Sequence, residues 1–170
     1  MARFLAVSDI HIYDYPQRTP TEKFRLYQTR TVAKNIIEAG KAYHCDYIVF
    51  CGDTIDKVLL RPYVQAEVKL FLDTIMSNFK EGFIIWGNHD IDNRSKNQSI
   101  WDSCLGVMLP SNLYYADGQQ IQVGSSSIAF SNWKPEFDLS WISGKVDVLF
   151  THATICYSPG DHVKSQVLDD

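Results

Sequence analysis

Four short apolar runs along the chain each lead directly into a small cluster of polar residues. Continuous apolar character is typical of strands buried on both faces, and it predicts strands at Phe4–Val7, Asp46–Cys51, Phe83–Trp86 and Val146–Thr151. The polar clusters that follow are Asp9-Ile10-His11, Gly52 to Asp56, Gly87-Asn88-His89-Asp90 and Thr151-His152. Because ligands of open α/β sheets bind beyond the carboxyl ends of the strands, we expect all four clusters at one edge of a sheet.

Two helical patterns separate the first three predicted strands. The first helix is expected from Thr19 to about Tyr43, because Thr19 and Glu22 form a capping box and an apolar face follows at Leu26, Ala33, Ile36 and Ile37. The second begins at Pro62, and its apolar positions are Val64, Val68, Phe71, Leu72, Ile75 and Met76. Connections of this length predict parallel strands joined by right-handed crossovers.

The pattern changes in the second half of the chain. A helix is predicted over Ser95–Leu105, and short strands follow at Leu113–Tyr115, Gln120–Val123 and Ser127–Trp133, with turn residues between them. These strands suggest an antiparallel meander, in a mixed sheet or in a second sheet packed on the first. The predicted fold is therefore α/β, at the boundary with α+β, with mixed β-sheets packed together and flanked by helices.

Length and charge narrow the classes of function. The chain has 170 residues, of which 45% are hydrophobic and 21% charged, as in one globular domain. Its net charge of −4 excludes a chain that binds nucleic acid through overall charge, so such binding would need a local basic patch or a metal. The first helix region supplies such a patch, or an ordinary solvated helix face, with Arg18, Lys23, Arg25, Arg30 and Lys34.

The cysteines and the N-terminus bear on the cellular compartment. The cysteines are Cys45, Cys51, Cys104 and Cys156, and the absence of a C-x-x-C pair argues against a structural zinc site. No disulfide framework is expected, which favours a reducing compartment. The N-terminus lacks the apolar core of a signal peptide, and no stretch is long enough to span a membrane. A cytoplasmic location is therefore expected.

The polar clusters carry the donor atoms of a metal site. Carboxylate, imidazole and amide groups suit divalent ions of intermediate hardness, such as Mn²⁺, Zn²⁺ or Fe. Each cluster alone also fits an ordinary loop: Asp9 as a turn or cap, and His152 as a satisfied histidine. The functional interpretation rests on all four clusters, each at a predicted strand end. Asp56 is expected to support the ligands. His44 is expected at a helix end, His162 in a loop and Asp14 in contact with solvent.

The joint pattern resembles that of calcineurin-like metallophosphoesterases. Its order is D-x-H, then G-D-x-x-D, then G-N-H-D, then a strand ending in histidine. The resemblance implies two divalent ions, Mn most favoured with Zn, Fe or Mg as alternatives. Asp9 and His11 would hold the first ion, Asn88 and His152 the second, and Asp53 would bridge them. It also implies that His89 is the catalytic acid near the leaving oxygen and that Asp90 supports His89.

Within that superfamily the spacing is similar to the nuclease subunit of SbcCD-type DNA repair complexes. This similarity implies a DNA exonuclease or endonuclease that works with an SbcC-type coiled-coil ATPase, and a homodimer is a further expectation. Two alternatives stay open. One is a phosphoesterase for a small substrate, such as a nucleotide or a phosphoprotein, and the other is a degenerate binding subunit without catalysis.

The sequence departs from the superfamily pattern at its end. The pattern closes with G-H-x-H, which supplies one histidine to each ion, and the nearest approximation here is Gly160-Asp161-His162. We therefore expect residues 1–170 to form a metallophosphoesterase domain that lacks its C-terminal part. A fragment, a split-gene product and a degenerate relative would each account for this. Both ion sites would then keep open positions.

Overall fold

Two β-sheets form the centre of the molecule. The computed structural model describes residues 2–13, 23–91, 98–134 and 138–153, with the side chains of the first helix from residue 28 onward. The first sheet is parallel in the order β1 (Phe4–Val7), β2 (Tyr47–Cys51), β3 (Glu81–Ile85) and β4 (Leu113–Tyr115). The second has the order β5 (Gln119–Val123), β6 (Ser126–Ser131) and β7 (Val148–Thr151). In it, β5 pairs antiparallel with β6, and β6 pairs parallel with β7.

Two helices cover the outer face of the first sheet. Helix α1 spans Lys23–Ala42 and helix α2 spans Pro62–Met76, with Pro62 in its first turn. The apolar stripe predicted for α2 is confirmed, because all six of its residues are buried against the sheet. Ala33 and Ile36 of α1 are buried in the same cluster. The start predicted for α1 at Thr19 lies outside the described residues.

The two sheets pack face to face through a second apolar cluster. Val49, Phe83 and Ile85 contribute from the first sheet, and Ile128 and Phe130 contribute from the second. The rings of Phe83 and Phe130 lie 5.0 Å apart, measured between their centroids. The layers are therefore helices, parallel sheet and mixed sheet, which confirms the predicted class of mixed sheets flanked by helices.

The predicted meander is wrong in its first strand. Strand β4 pairs parallel with β3 in the first sheet and does not continue antiparallel into β5. A parallel partner requires a crossover of a dozen or more residues, and the segment between β3 and β4 is long enough to supply one. Only β5 and β6 form the expected hairpin, which turns at Gly124 with a φ of 61°.

The helix predicted over Ser95–Leu105 is also wrong in its described part. Two short 3-10 turns, Ile100–Asp102 and Cys104–Val107, stand in its place. Each turn is started by a serine whose hydroxyl accepts a backbone N–H, Ser99 for the first and Ser103 for the second. Serine competes with helical hydrogen bonds in this way, so the chain begins a new turn at Ser103 instead of continuing a helix.

Asn132 joins the ends of the two sheets. It lies just beyond β6 and is fully buried. Its side-chain oxygen accepts the backbone N–H of Trp86 at 2.7 Å, and its amide group donates to the Tyr115 hydroxyl at 2.8 Å. The Trp86 carbonyl accepts the N–H of Trp133 at 2.8 Å. Both main-chain groups of the residue after β3 are thus satisfied by the segment after β6.

No helix in the described ranges is both long and apolar enough to cross a membrane. The three cysteines in those ranges, Cys45, Cys51 and Cys104, are free thiols.

We expect Asn132→Ala to lower the free energy of unfolding by about 1–3 kcal/mol, because the buried N–H of Trp86 loses its acceptor. Chemical denaturation followed by tryptophan fluorescence would measure the change. Gln122→Ala on the exposed side of the hairpin is the matched control and should change stability little. Equal stability of the two variants would show that Asn132 does not hold the sheets together.

Candidate metal centre

The loops after β1 and β2 are paired with each other beyond the ends of the strands. The N–H of Asp9 donates to the Gly52 carbonyl at 3.2 Å, and the N–H of His11 donates to the Asp53 carbonyl at 3.0 Å. An isolated parallel bridge joins Ile12 to Ile55. The main chain therefore places the first two polar clusters side by side at the carboxyl edge of the first sheet, as predicted.

Three of the predicted ligands have left-handed backbone conformations. The φ angles are 57° at Asp9, 50° at His11 and 52° at Asp53. Residues with a β-carbon rarely adopt this region, and each costs of order 1–3 kcal/mol unless the surroundings impose it. Such conformations cluster at functional sites, so their concentration on three neighbouring ligands supports a binding role for this edge.

The carboxylate of Asp53 lies at the centre of the site. Its Oδ2 is 3.7 Å from His11 Nε2 and 3.3 Å from His152 Nε2, while its Oδ1 accepts the N–H of His89 at 3.0 Å. Asp53 is buried, which opposes ionisation, but hydrogen bonds from His152 and from the His89 N–H outweigh burial. The pKa of Asp53 is therefore below its ordinary value, and the carboxylate is ionised.

His152 reaches this carboxylate from the second sheet. It follows β7, and its Nδ1 lies 2.9 Å from the Cys51 carbonyl of the first sheet. A proton on Nδ1 donates to that carbonyl and leaves Nε2 directed at Asp53, which is the orientation a ligand requires. The hydrogen bond with Asp53 raises the pKa of His152 to about 9, against the opposing effect of burial.

His89 and His11 share the side chain of Asp56. The Asp56 Oδ1 is 3.3 Å from His11 Nδ1 and 3.7 Å from His89 Nδ1, and its main-chain carbonyl is 3.0 Å from His89 Nδ1. The two imidazole rings meet edge to face, with centroids 4.8 Å apart. The Asp56 carbonyl thus fixes Nδ1 of the His89 ring, whereas Nδ1 of His11 lies near the Asp56 carboxylate without a hydrogen-bond partner in the described residues.

The carboxylate of Asp90 binds main chain and not the His89 ring. Its Oδ1 accepts the N–H of Ile55 and its Oδ2 accepts the N–H of Gly87, both at 2.9 Å. Burial raises the pKa of Asp90 to about 7, and these two hydrogen bonds oppose that rise. Asp90 therefore connects the second and third site loops, and the support predicted for His89 would act through the backbone that carries it.

Glycine allows the site loops to approach each other closely. A β-carbon at Gly87 would overlap the carboxylate and the main-chain nitrogen of Asp53. Gly52 has a φ of 92°, and a β-carbon there would lie 2.6 Å from His152 Nδ1. Asn88, between Gly87 and His89, is half-buried at the same edge, and its role as a ligand stays a prediction.

Two groups of donor atoms are close enough to hold ions. His11, Asp53 and His89 form one group, and Asp9, Asp53 and His152 form the other, with ligand atoms within 4.8 Å of one another. Two ligand atoms that each lie about 2.1 Å from one ion are at most about 4.2 Å apart. A small shift of the side chains toward one another would therefore let each group bind an ion. Asp53 is common to both groups, as a bridging ligand would be. The grouping differs from the expected one, since His89 stands with His11 and Asp9 stands with His152.

The chemistry of the donors suits hard or intermediate divalent ions. All of them are carboxylate oxygens or imidazole nitrogens. The nearby Cys51 thiol does not add a thiolate, because burial and the charge of Asp9 raise its pKa to about 12. The main-chain carbonyl of Cys51, by contrast, orients His152. The sequence could not indicate this contact, because every residue has a main-chain carbonyl.

We expect Gly87→Ala to weaken Mn²⁺ binding by about tenfold or more, because its β-carbon displaces the Asp53 carboxylate. Calorimetric titration with Mn²⁺ would measure the affinity, and thermal melting would confirm that the variant folds. Gly124→Asn in the hairpin turn is the control, since asparagine tolerates the left-handed conformation there. Unchanged affinity in a folded Gly87→Ala variant would contradict the close approach of these two loops.

Comparison with known proteins gives one match at the level of family. The sequence matches calcineurin-like phosphoesterases over residues 2–169, and no curated protein matches it. Among solved structures, one similar chain is the crystal structure of Pseudomonas putida nuclease MPE, with 18% identity and a TM-score of 0.47. The match covers 89% of this chain but 60% of that chain. The family match covers nearly the whole sequence, and the chain belongs to the calcineurin-like phosphoesterase family.

Proposed function

We propose that this metal phosphoesterase hydrolyses phosphodiester bonds of DNA with two divalent ions, Mn²⁺ being favoured. The observation that supports two ions is the position of Asp53, whose carboxylate belongs to both groups of donor atoms. Bound ions would activate water and neutralise the charge that develops on the phosphate. Asp9, His11, Asp53, Asn88 and His152 are the proposed ligands.

His89 is the proposed acid for the leaving oxygen. Its Nδ1 faces the Asp56 carbonyl at 3.0 Å, so a proton on Nδ1 is held there and Nε2 is left for the substrate. In the protonated ring, Nε2–H would donate to the oxygen that leaves phosphorus. A ligand role is the alternative, because His89 also stands beside His11 and Asp53. The two roles differ in their effect on bound metal.

DNA is the proposed substrate, and an SbcD-type nuclease is the proposed subfamily. The support is the motif spacing, with the GDTID and GNHD forms intact. In this proposal an SbcC-type ATPase is the partner and a homodimer is the assembly. A nuclease should bind its substrate more weakly as salt rises, whereas an enzyme for small substrates should not show that dependence.

The basic surface of α1 gives little support to DNA binding. Arg30 pairs with Glu67 at 3.2 Å, and Lys34 lies 3.6 Å from Glu38 one turn along the helix. These carboxylates compensate the charges that the sequence pattern suggested for a phosphate backbone. Arg18 and the side chains of Lys23 and Arg25 lie outside the described residues. Among the cations whose side chains the structure describes, one closer to the candidate metal centre is therefore the better candidate for contact with DNA.

Asp53→Asn should reduce Mn²⁺ affinity by about a hundredfold or more, because it removes a charged ligand common to both groups without changing its shape. Mn²⁺-dependent cleavage of an oligonucleotide should be lost with it. Calorimetry and a cleavage assay would measure the two effects. Asp73→Asn, which removes an exposed carboxylate on α2, is the matched control. Full activity of Asp53→Asn would refute the proposed centre.

His89→Ala should lower turnover by about 10²–10⁴-fold if His89 is a general acid, while the amount of bound metal stays nearly unchanged. Single-turnover cleavage and metal analysis of the purified variant would separate these quantities. His44→Ala, at the exposed end of α1, should alter neither. Parallel loss of metal and turnover would instead assign His89 as a ligand in the group with His11 and Asp53.

A further inference from the structure

The main chain of Lys57 lies at the edge of the metal centre. It follows Asp56, whose main-chain carbonyl lies 3.0 Å from His89 Nδ1 and whose carboxylate lies 3.3 Å from His11 Nδ1. The peptide bond between Asp56 and Lys57 is therefore in direct contact with the His89 ring. The main chain of Lys57 is placed by the same contacts that place the proposed catalytic histidine.

The side chain of Lys57 is directed over the ring of Tyr13. Lys57 is exposed, and its Nζ lies 5.6 Å from the centroid of that ring. Tyr13 follows Ile12, whose N–H donates to the Thr54 carbonyl at 3.0 Å, and its ring packs partly buried against the core. An aromatic face attracts a cation without neutralising it, so Lys57 is oriented and keeps its charge.

Five other cations of the described chain meet carboxylates. Such pairs compensate the positive charge locally, and they are Arg30–Glu67, Lys34–Glu38, Lys69–Asp73, Lys134–Asp117 and Lys145–Asp147. Lys80 lies over the Tyr47 ring and Arg3 donates to the Tyr43 carbonyl, but these two residues precede β3 and β1 and so lie at the edge of the sheet opposite the candidate metal centre. The contact of Lys57 within the described residues is with the neutral ring of Tyr13. Among the described residues, Lys57 therefore combines a charge that no carboxylate compensates with a main-chain position next to the candidate centre.

We propose that Lys57 binds a second phosphate of the substrate, next to the one being hydrolysed. The inference rests on the proposed function, because a nucleic acid offers a neighbouring phosphate and a substrate with one phosphate does not. Lysine suits this contact as a mobile point charge. Tyr13 acts through Lys57 as a positioning residue. This subsite would favour polynucleotides over small phosphodiesters at one metal centre.

The test compares a short single-stranded oligonucleotide with bis(nitrophenyl) phosphate, which carries one phosphodiester and no second phosphate. Lys57→Gln removes the charge and keeps most of the stem. Its Kd for the oligonucleotide should rise about five- to tenfold, and the slope of log Kd against log salt should fall by about one. The ratio of kcat/KM for the oligonucleotide to that for the small diester should fall by the same factor.

Two further variants separate this contact from general effects. Lys41→Gln removes an exposed lysine in the last turn of α1, at the opposite edge of the sheet, and should change neither quantity. Tyr13→Leu should reproduce part of the Lys57→Gln effect, because the ammonium group is no longer oriented.

The outcomes distinguish this inference from the proposed function. If the unmodified protein with Mn²⁺ neither binds nor cleaves the oligonucleotide, the proposed function fails and the subsite with it. If the unmodified protein cleaves it and Lys57→Gln equals Lys41→Gln, the subsite is refuted and the nuclease stands. An equal loss of kcat/KM on both substrates would place Lys57 at the reacting phosphate and refute a separate subsite.

Discussion

The buried carboxylate of Asp90 connects the loops on which the centre depends. One oxygen accepts the N–H of Ile55, in the loop that carries Asp53, and the other accepts the N–H of Gly87, in the loop that carries His89. Both donors are buried and would otherwise lack partners in the interior, which is costly for main-chain groups. A single side chain with no exposed surface thus fixes the distance between the central carboxylate and the proposed acid.

Strain in the first two loops is balanced by the pairing between them. Asp9, His11 and Asp53 all have positive φ angles, and the N–H groups of Asp9 and His11 donate to the neighbouring loop. The sheet pairing that joins β1 to β2 therefore extends past the strands in a distorted form. Because main-chain hydrogen bonds hold the donors in this arrangement, they need little rearrangement to bind ions, which favours affinity.

Sequence reasoning was sufficient for features that depend on local pattern. The stripe of α2 and the parallel pairing of β1, β2 and β3 followed from apolar periodicity and from connection length. The sheet to which β4 belongs could not be predicted from the sequence, because tertiary packing determines which strands pair. At the site, strand ends predicted which residues converge. Which side chains face one another did not follow, because rotamers depend on neighbours such as Asp56, which lies between His11 and His89.

Within the described residues, the imidazole of His152 joins the two sheets at the candidate metal centre. His152 belongs to the second sheet, yet its Nδ1 faces the Cys51 carbonyl and its Nε2 faces Asp53, both in the first. An ion coordinated by His152 and Asp53 would be a crosslink between layers that are otherwise held by side-chain packing and by Asn132. An ion bound at the centre would then oppose separation of the sheets. The same ion that makes the site competent for catalysis would therefore also stabilise the domain.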